Sequence, residues 1–161
     1  MCVRTDPANI LVDYLTARGA DVHRVTRGGY VTWHGPGQVV GYPLVSAPTR
    51  RGGGMADTVA YVRSVEQLLI DALGDLGLDA GRRDQYPGVW LGDDATGLRK
   101  VAAIGVRLRR GRAMHGFALN VDPDLSWFDA IVPWGIAVAS VTSLAAEGCM
   151  ASMSDVVDVI V

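Results

Sequence analysis

Lysine is nearly missing from this chain. Lys and Arg together number 15 in 161 residues, and Lys100 is the single lysine, leaving 14 arginines. Surface cation duties have gone to arginine, so a lysine kept against that bias points to a task a guanidinium cannot perform. A desolvated amine can lose or share its proton near neutral pH; a guanidinium does not. Cysteine is scarce too. Cys2 and Cys149 make neither a disulfide framework nor a metal-ligand pattern, and a reducing, cytoplasmic setting is the reading that fits. The net charge of −2 gives no support for a nucleic-acid partner. No apolar run nears the roughly 20 residues of a membrane span, so no membrane association is expected. The start, Met1 to Asp6, lacks the apolar core of a signal peptide. The adjacent Asp93 and Asp94 read as a solvated turn, and neither metal nor cofactor is expected.

What is present is an ordinary globular balance, 49% hydrophobic and 20% charged, enough for one domain over residues 1–161. The chain is organised around Arg27 to Val45, RGGYVTWHGPGQVVGYPLV. Gly28 and Gly29 free the backbone for a tight turn or a close approach to a ligand. Tyr30 to Trp33, β-branched and aromatic, reads as a strand that His34 ends. Gly35-Pro36-Gly37 is a rigid turn, and Gln38 to Val45 reads as a second strand. The layout gathers one imidazole, one guanidinium and bare backbone N–H groups around a glycine-walled hollow. On residue chemistry alone, a binding site and an elaborate hairpin stand about even.

The remaining elements follow from periodicity. Residues 12–19 read as a helical turn and Val22 to Thr26 as a strand. Asp57 to Leu76 is the clearest helix, with Val59, Val62, Val65, Leu69, Ala72, Leu73 and Leu76 at three- and four-residue steps, Asp57 as N-cap and Gly77 just past its end. Short strands flank Pro87-Gly88. Lys100 to Arg109 and Ala113 to Val121 read as strands joined by a charged turn. Asp122 to Leu125 caps a short helix through Ala130, and Ser154 opens a last helix to Val161. Strands in hairpins with one long helix between them make an α+β fold, a mixed sheet with helices packed on it.

RGGxVTxHGPGQxVGYP resembles the signature of the octanoyltransferases of lipoate biosynthesis. The resemblance continues through Gly88-Val89-Trp90, Arg99 to Gly105 (RKVAAIG), His115 to Asn120 (HGFALN) and Val141 to Leu144. It implies a biotin/lipoate protein ligase-like catalytic domain, truncated at the N-terminus relative to the family, which carries a further strand–helix–strand before Arg4-Thr5-Asp6. It implies transfer of octanoyl from acyl carrier protein to a lysine of a lipoyl domain, whether of the 2-oxoacid dehydrogenases or of the glycine cleavage H protein, by a cytoplasmic monomer. It implies an acyl pocket lined by Arg27, Gly28, Gly29, Tyr30, Val31, Thr32, Trp33 and His34, by Ala103, Ile104 and Gly105, and by Gly116, Phe117 and Ala118. His115 stands even between a pocket role and a structural one.

Family members act through a cysteine made reactive by a lysine that lowers its pKa. Lys100 matches that lysine. The cysteine belongs in a Pro-Cys-Gly motif, but this chain reads Pro133-Trp134-Gly135. An indole is no nucleophile, so Trp134 cannot form an acyl-enzyme. The alternatives are an inactive homologue that binds acyl chains or lipoyl domains, and a transferase that works without an acyl-enzyme and uses Lys100.

Overall fold

The computed structural model describes residues 2–3, 12–29, 31–49, 53, 56–84, 86–131 and 140–161. The elements run β1 (Cys2–Val3), α1 (Val12–Ala17), β2 (His23–Arg24), β3 (Gln38–Gly41), α2 (Thr58–Asp75), β4 (Ala80–Gly81), β5 (Val89–Leu91), β6 (Arg99–Arg109), β7 (Arg112–Asn120), a 3-10 helix (Leu125–Ala130), β8 (Ser140–Val141) and α3 (Met153–Ile160). The main sheet has the order β3-β7-β6-β5-β4, antiparallel throughout, and β8 adds parallel to the start of β6. A separate parallel pair joins β1 to β2. The α+β reading holds.

The β6–β7 hairpin is the spine of the sheet. Its turn is Arg110-Gly111, with both residues at positive φ (51° and 75°), the geometry of a type I′ turn whose twist matches the flanking strands. Register follows: Ala103 faces Ala118, Ile104 faces Phe117 and Gly105 faces Gly116. Side chains alternate between faces. Ile104, Val106, Phe117 and Leu119 therefore join Tyr61, Val65, Leu69 and Leu73 of α2 and Val156 of α3 in the main core.

The α2 boundaries match the pattern. Asp57 caps the helix by accepting the Ala60 N–H (3.0 Å), and Gly77 follows it in the left-handed region (φ 81°). Val59 departs from the expected stripe: it lies in the first turn and is 67% exposed. Glu66 departs the other way, a carboxylate 1% exposed on the apolar face. Residues 122–130 behave as expected, with Asp124 accepting the Ser126 N–H at the start of the 3-10 helix.

The expected strand pair on either side of Gly35-Pro36-Gly37 is replaced by something else. Residues 31–33 are not a strand of the sheet. The turn is real, but Gly37 turns the chain onto β7: its carbonyl accepts both the Val121 and Asp122 N–H groups at 3.0 Å. A Cβ on Gly37, itself at φ 87°, would come within 2.2 Å of the Asp122 carbonyl oxygen. The second strand then pairs with Phe117–Asn120 and stops at Gly41. Val31 and Trp33 instead enter a second, smaller core with Leu15, Phe128, Ala130 and Ile131. There the Trp33 ring stacks on Trp127 (5.6 Å, 7°) and meets Phe128 edge-on. No described helix is long and apolar enough to cross a membrane.

Candidate functional site

Between the 25–34 segment and the face of β6–β7 opposite α2 lies a cavity of about 300 Å³. It exists because its floor has almost no side chains. Ala103, Gly105, Gly116 and Ala118 are register neighbours projecting to that face. At Gly116 a Cβ would lie 1.9 Å from the Gly41 carbonyl oxygen, so only glycine lets β3 lie this close to β7. At Gly105 a Cβ would press the Arg27 Cδ at 2.9 Å and the Gly28 oxygen at 3.0 Å. The Gly28 N–H in turn donates to the Val106 carbonyl at 2.9 Å, which pins the glycine turn to β6.

The cavity is lined by Arg27, Thr32 and His34, by Ala103, Ile104 and Gly105, and by Gly116, Phe117 and Ala118. Three separated sequence segments therefore meet at one hollow. Other expected pocket residues take different places. Gly28 and Gly29 shape the turn without lining the hollow, and Val31 and Trp33 point into the second core. Alternation along Val31–His34 explains this: Thr32 and His34 face the cavity while Val31 and Trp33 face away. Tyr30 and Trp134 lie outside the described residues.

Three lining residues, Val25, Tyr42 and His115, stand outside the expected set. Val25 follows the same two-residue alternation as Arg27, a readable signal. His115 has φ 62°, a left-handed backbone rarely adopted by side-chain-bearing residues, and that is not readable. Its ring meets Tyr42 edge-on at 6.5 Å, and its Nε2 is buried without a hydrogen-bond partner among the described residues.

The polar end of the cavity is wired. His34 Nδ1 lies 3.3 Å from Gln38 Oε1, Gln38 Nε2 donates to Asn120 Oδ1 (2.8 Å), and Asn120 Nδ2 donates to the Thr142 carbonyl (2.9 Å). Burial holds the His34 pKa below its ordinary value, with the Arg27 guanidinium adding to that and the Gln38 hydrogen bond opposing it. Arg27 is itself buried and donates to the Gly28 carbonyl at 2.9 Å.

Lys100 is not in the cavity wall. It lies three residues before Ala103 on β6, about 10 Å along the strand at ~3.3 Å per residue. It is 2% exposed, with its ammonium 4.7 Å over the Trp90 ring. Gly88 makes room for it: a Cβ there would sit 2.5 Å from Lys100 Cε. Desolvation pushes the Lys100 pKa down from 10.5 to about 7, against the pull of Glu66. Glu66 is held by Arg63 (3.0 Å) and Arg82 (3.4 Å) and accepts the Gly88 N–H (3.0 Å). The Lys100 carbonyl accepts the Thr142 N–H at 3.0 Å, so the lysine strand and the His34 network share Thr142. Cys149 is half-buried, with its Sγ 3.9 Å from the Leu76 carbonyl beside the main core, and does not line the cavity.

Comparison with known proteins agrees with this architecture. Residues 4–161 match the family described as the lipoyl protein ligase A/B catalytic domain. An octanoyltransferase of Salinispora tropica is 52% identical over 145 residues, 89% of this chain and 63% of that protein. An octanoyltransferase of Thermobifida fusca is 52% identical over 136 residues, 83% of this chain and 56% of that protein. The chain thus spans less than two thirds of the length of these relatives. Among solved structures, a bi-partite lipoate protein ligase of Thermoplasma acidophilum superposes with TM-score 0.74 at 17% identity, covering 99% of this chain and 63% of that one. A lipoate-protein ligase A bound with ATP gives TM-score 0.69 at 19% identity, covering 99% and 64%. With residues 4–161 matched and relatives 52% identical over more than four fifths of its length, this chain belongs to the lipoyl protein ligase A/B catalytic domain family.

Proposed function

We propose that this chain transfers an octanoyl group from the thioester of acyl carrier protein to the lysine amine of a lipoyl domain. The observation that carries this reading is the cavity where Ala103–Gly105, Gly116–Ala118 and the Arg27–His34 segment meet. Its floor of alanine and glycine suits a thin alkyl chain lying along backbone. Each buried methylene contributes about 0.8 kcal/mol, so an octanoyl chain gains roughly 5 kcal/mol there. The relatives named octanoyltransferase support the same chemistry. The acceptor is a lipoyl domain of a 2-oxoacid dehydrogenase or the glycine cleavage H protein, and the working form is a cytoplasmic monomer.

With Trp134 where the resemblance calls for a cysteine, the acyl group passes directly from thioester to amine. The amine lone pair forms the C–N bond, the C–S pair leaves on sulfur, and one proton moves from nitrogen to sulfur. Lys100, with a pKa of about 7, is an amine able to take up or release a proton at neutral pH. A second reading, an acyl-binding homologue that transfers nothing, is favoured by Trp134 itself.

The test is incubation with octanoyl-acyl carrier protein and a lipoyl domain, followed by intact-mass measurement of the lipoyl domain. An octanoyl amide on its lysine supports transfer. Binding of octanoyl-acyl carrier protein with an unmodified lipoyl domain selects the second reading. Neither binding nor transfer overturns both.

A further inference from the structure

Among the described residues, His34 alone lines both the 300 Å³ cavity and a second, more open hollow of about 620 Å³. On the first side it shares the wall with Arg27, Tyr42 and His115. On the second it stands with His23, Asp21, Asp122 and Asp124, beside Trp33 and Trp127. An imidazole at the seam of two cavities is placed to exchange a proton with groups arriving from either. Whether it accepts or donates depends on which ring nitrogen carries hydrogen, and here the fold decides that.

The decision is made at two backbone groups. Gln38 Oε1 accepts the Gly35 N–H at 3.2 Å, a donor that cannot reverse. Asn120 Nδ2 donates to the Thr142 carbonyl, an acceptor that cannot reverse. Between these ends only one orientation of the two amides satisfies every contact. Flipping Gln38 would set its NH₂ against the Gly35 N–H and its oxygen against Asn120 Oδ1. Flipping Asn120 as well would set its oxygen against the Thr142 carbonyl. Gln38, Asn120 and Thr142 are all buried, so water does not absorb such clashes. Gln38 therefore presents an oxygen to His34, and Nδ1 is the nitrogen that donates.

We propose that Gln38 and Asn120 are positioning residues that hold His34 as the Nδ1–H imidazole, so that its Nε2 accepts the proton released by the attacking amine during acyl transfer. The proton-accepting half rests on the transfer reading above; the tautomer half does not. The step balances: the amine nitrogen bonds the thioester carbon and gives its proton to Nε2, the C–S pair leaves as thiolate, and the imidazolium returns that proton to sulfur. Burial, by lowering the His34 pKa, keeps the ring neutral and ready to accept at pH 7. This logic is the usual one for histidine bases, where a hydrogen bond at one ring nitrogen fixes the role of the other.

The experiment is nitrogen-15 NMR of the full chain with labelled histidine, His34 being assigned by loss of its signals in His34→Gln. The expected result is a protonated Nδ1 and a pyridine-type Nε2 at pH 7.5. In Gln38→Leu the tautomers mix, and transfer to the lipoyl domain falls at least tenfold in kcat with little change in KM. Gln38→Glu supplies a carboxylate to His34 Nδ1 while setting its second oxygen against Asn120 Oδ1, so it lowers stability, raises the His34 pKa and moves the acid limb of the rate profile to higher pH. An Nε2–H tautomer in the unaltered protein, or an unchanged tautomer in folded Gln38→Leu, overturns the positioning claim. A correct tautomer in a protein that transfers to no amine overturns the proton-accepting role and the transfer reading together, while upholding the positioning by Gln38 and Asn120.

Discussion

The Lys100 ammonium lies 4.7 Å above the Trp90 ring, inside a site where Gly88 has no side chain because one would occupy the space of Lys100 Cε. Trp90 and Lys100 are also register partners across β5 and β6, next to a bulge at Val89/Trp90. The sheet irregularity, the glycine and the indole together build a dry socket for one amine. Such a socket costs stability, and the cost is pH-dependent.

The Lys100 pKa is lowered from 10.5 to about 7 in the folded state. Below pH 7 both folded and unfolded chains carry the charge, and the full burial cost applies. Between about 7 and 10.5 the folded amine sheds its proton while the unfolded one keeps it, so stability rises with pH across that window. Lys100→Met removes the cost. Thermal melts should show the variant more stable at pH 6, by roughly 3–5 kcal/mol at ~1.4 kcal/mol per pKa unit, with the advantage shrinking by pH 9. Transfer, measured in parallel, separates the two proton acceptors: its loss assigns the amine proton to Lys100, and its persistence assigns it to His34.

Glu66→Gln acts on the same socket. Glu66 raises the Lys100 pKa, so its loss should move that pKa further below 7. It also strips the carboxylate from Arg63 and Arg82. The expected destabilisation is about 1–3 kcal/mol, the scale of a broken buried polar contact, checked by urea denaturation at pH 7.

Gly105→Ala tests the cavity. The new methyl would press on Arg27 and on the Gly28 carbonyl, both within about 3.0 Å. Binding of octanoyl-acyl carrier protein should weaken about tenfold while stability falls by only ~1–2 kcal/mol, a common cost of overpacking. Gly81→Ala, where nothing lies within 4 Å, is the control and should leave binding unchanged.

Arg110 occupies the first position of the β6–β7 turn at φ 51°, where asparagine is better tolerated than arginine. Arg110→Asn should recover part of the roughly 1–2 kcal/mol that a left-handed backbone costs an ordinary side chain without touching ligand binding, read as a higher melting temperature.

Some of this was open to inspection in the sequence. Asp57, the three- and four-residue spacing and Gly77 defined α2 almost to the residue, and Arg110-Gly111 announced the hairpin that aligns Ala103–Gly105 with Gly116–Ala118. Local signals sufficed because caps and turns are decided by neighbours in the chain. The strand reading went differently over Val31 to Trp33. Alternating β-branched and aromatic residues also suit a segment threaded between a cavity and a second core, and only the docking of Gly37 onto Asp122 settles which occurs. Glu66 was hidden because, although Arg63 is its neighbour three residues earlier on α2, Arg82 and Gly88 are brought to it only by the fold. The Gln38–Asn120–Thr142 chain spans 104 residues from one end to the other, Gln38 to Thr142, and no local pattern connects them.

Residue 134 carries the last prediction. The resemblance places the acyl-accepting thiol there, and this chain has Trp134. An indole offers no lone pair for attack on a thioester, so the unaltered protein should acquire no acyl-thioester on incubation with octanoyl-acyl carrier protein. Cys149 does not compensate, since it packs beside the main core away from the cavity. Trp134→Cys restores the thiol that the resemblance calls for, and as thiolate it is the competent nucleophile. Intact-mass spectrometry should then show an octanoyl adduct on the variant, released by hydroxylamine as thioesters are. Losing a covalent nucleophile costs orders of magnitude in rate, so the variant should also transfer faster. A hydroxylamine-sensitive adduct on the unaltered protein would redirect the chemistry to Cys149 or Cys2. An unlabelled variant that still binds octanoyl-acyl carrier protein would mean that residue 134 does not meet the thioester carbonyl, and that the resemblance at Pro133-Trp134-Gly135 does not extend to geometry.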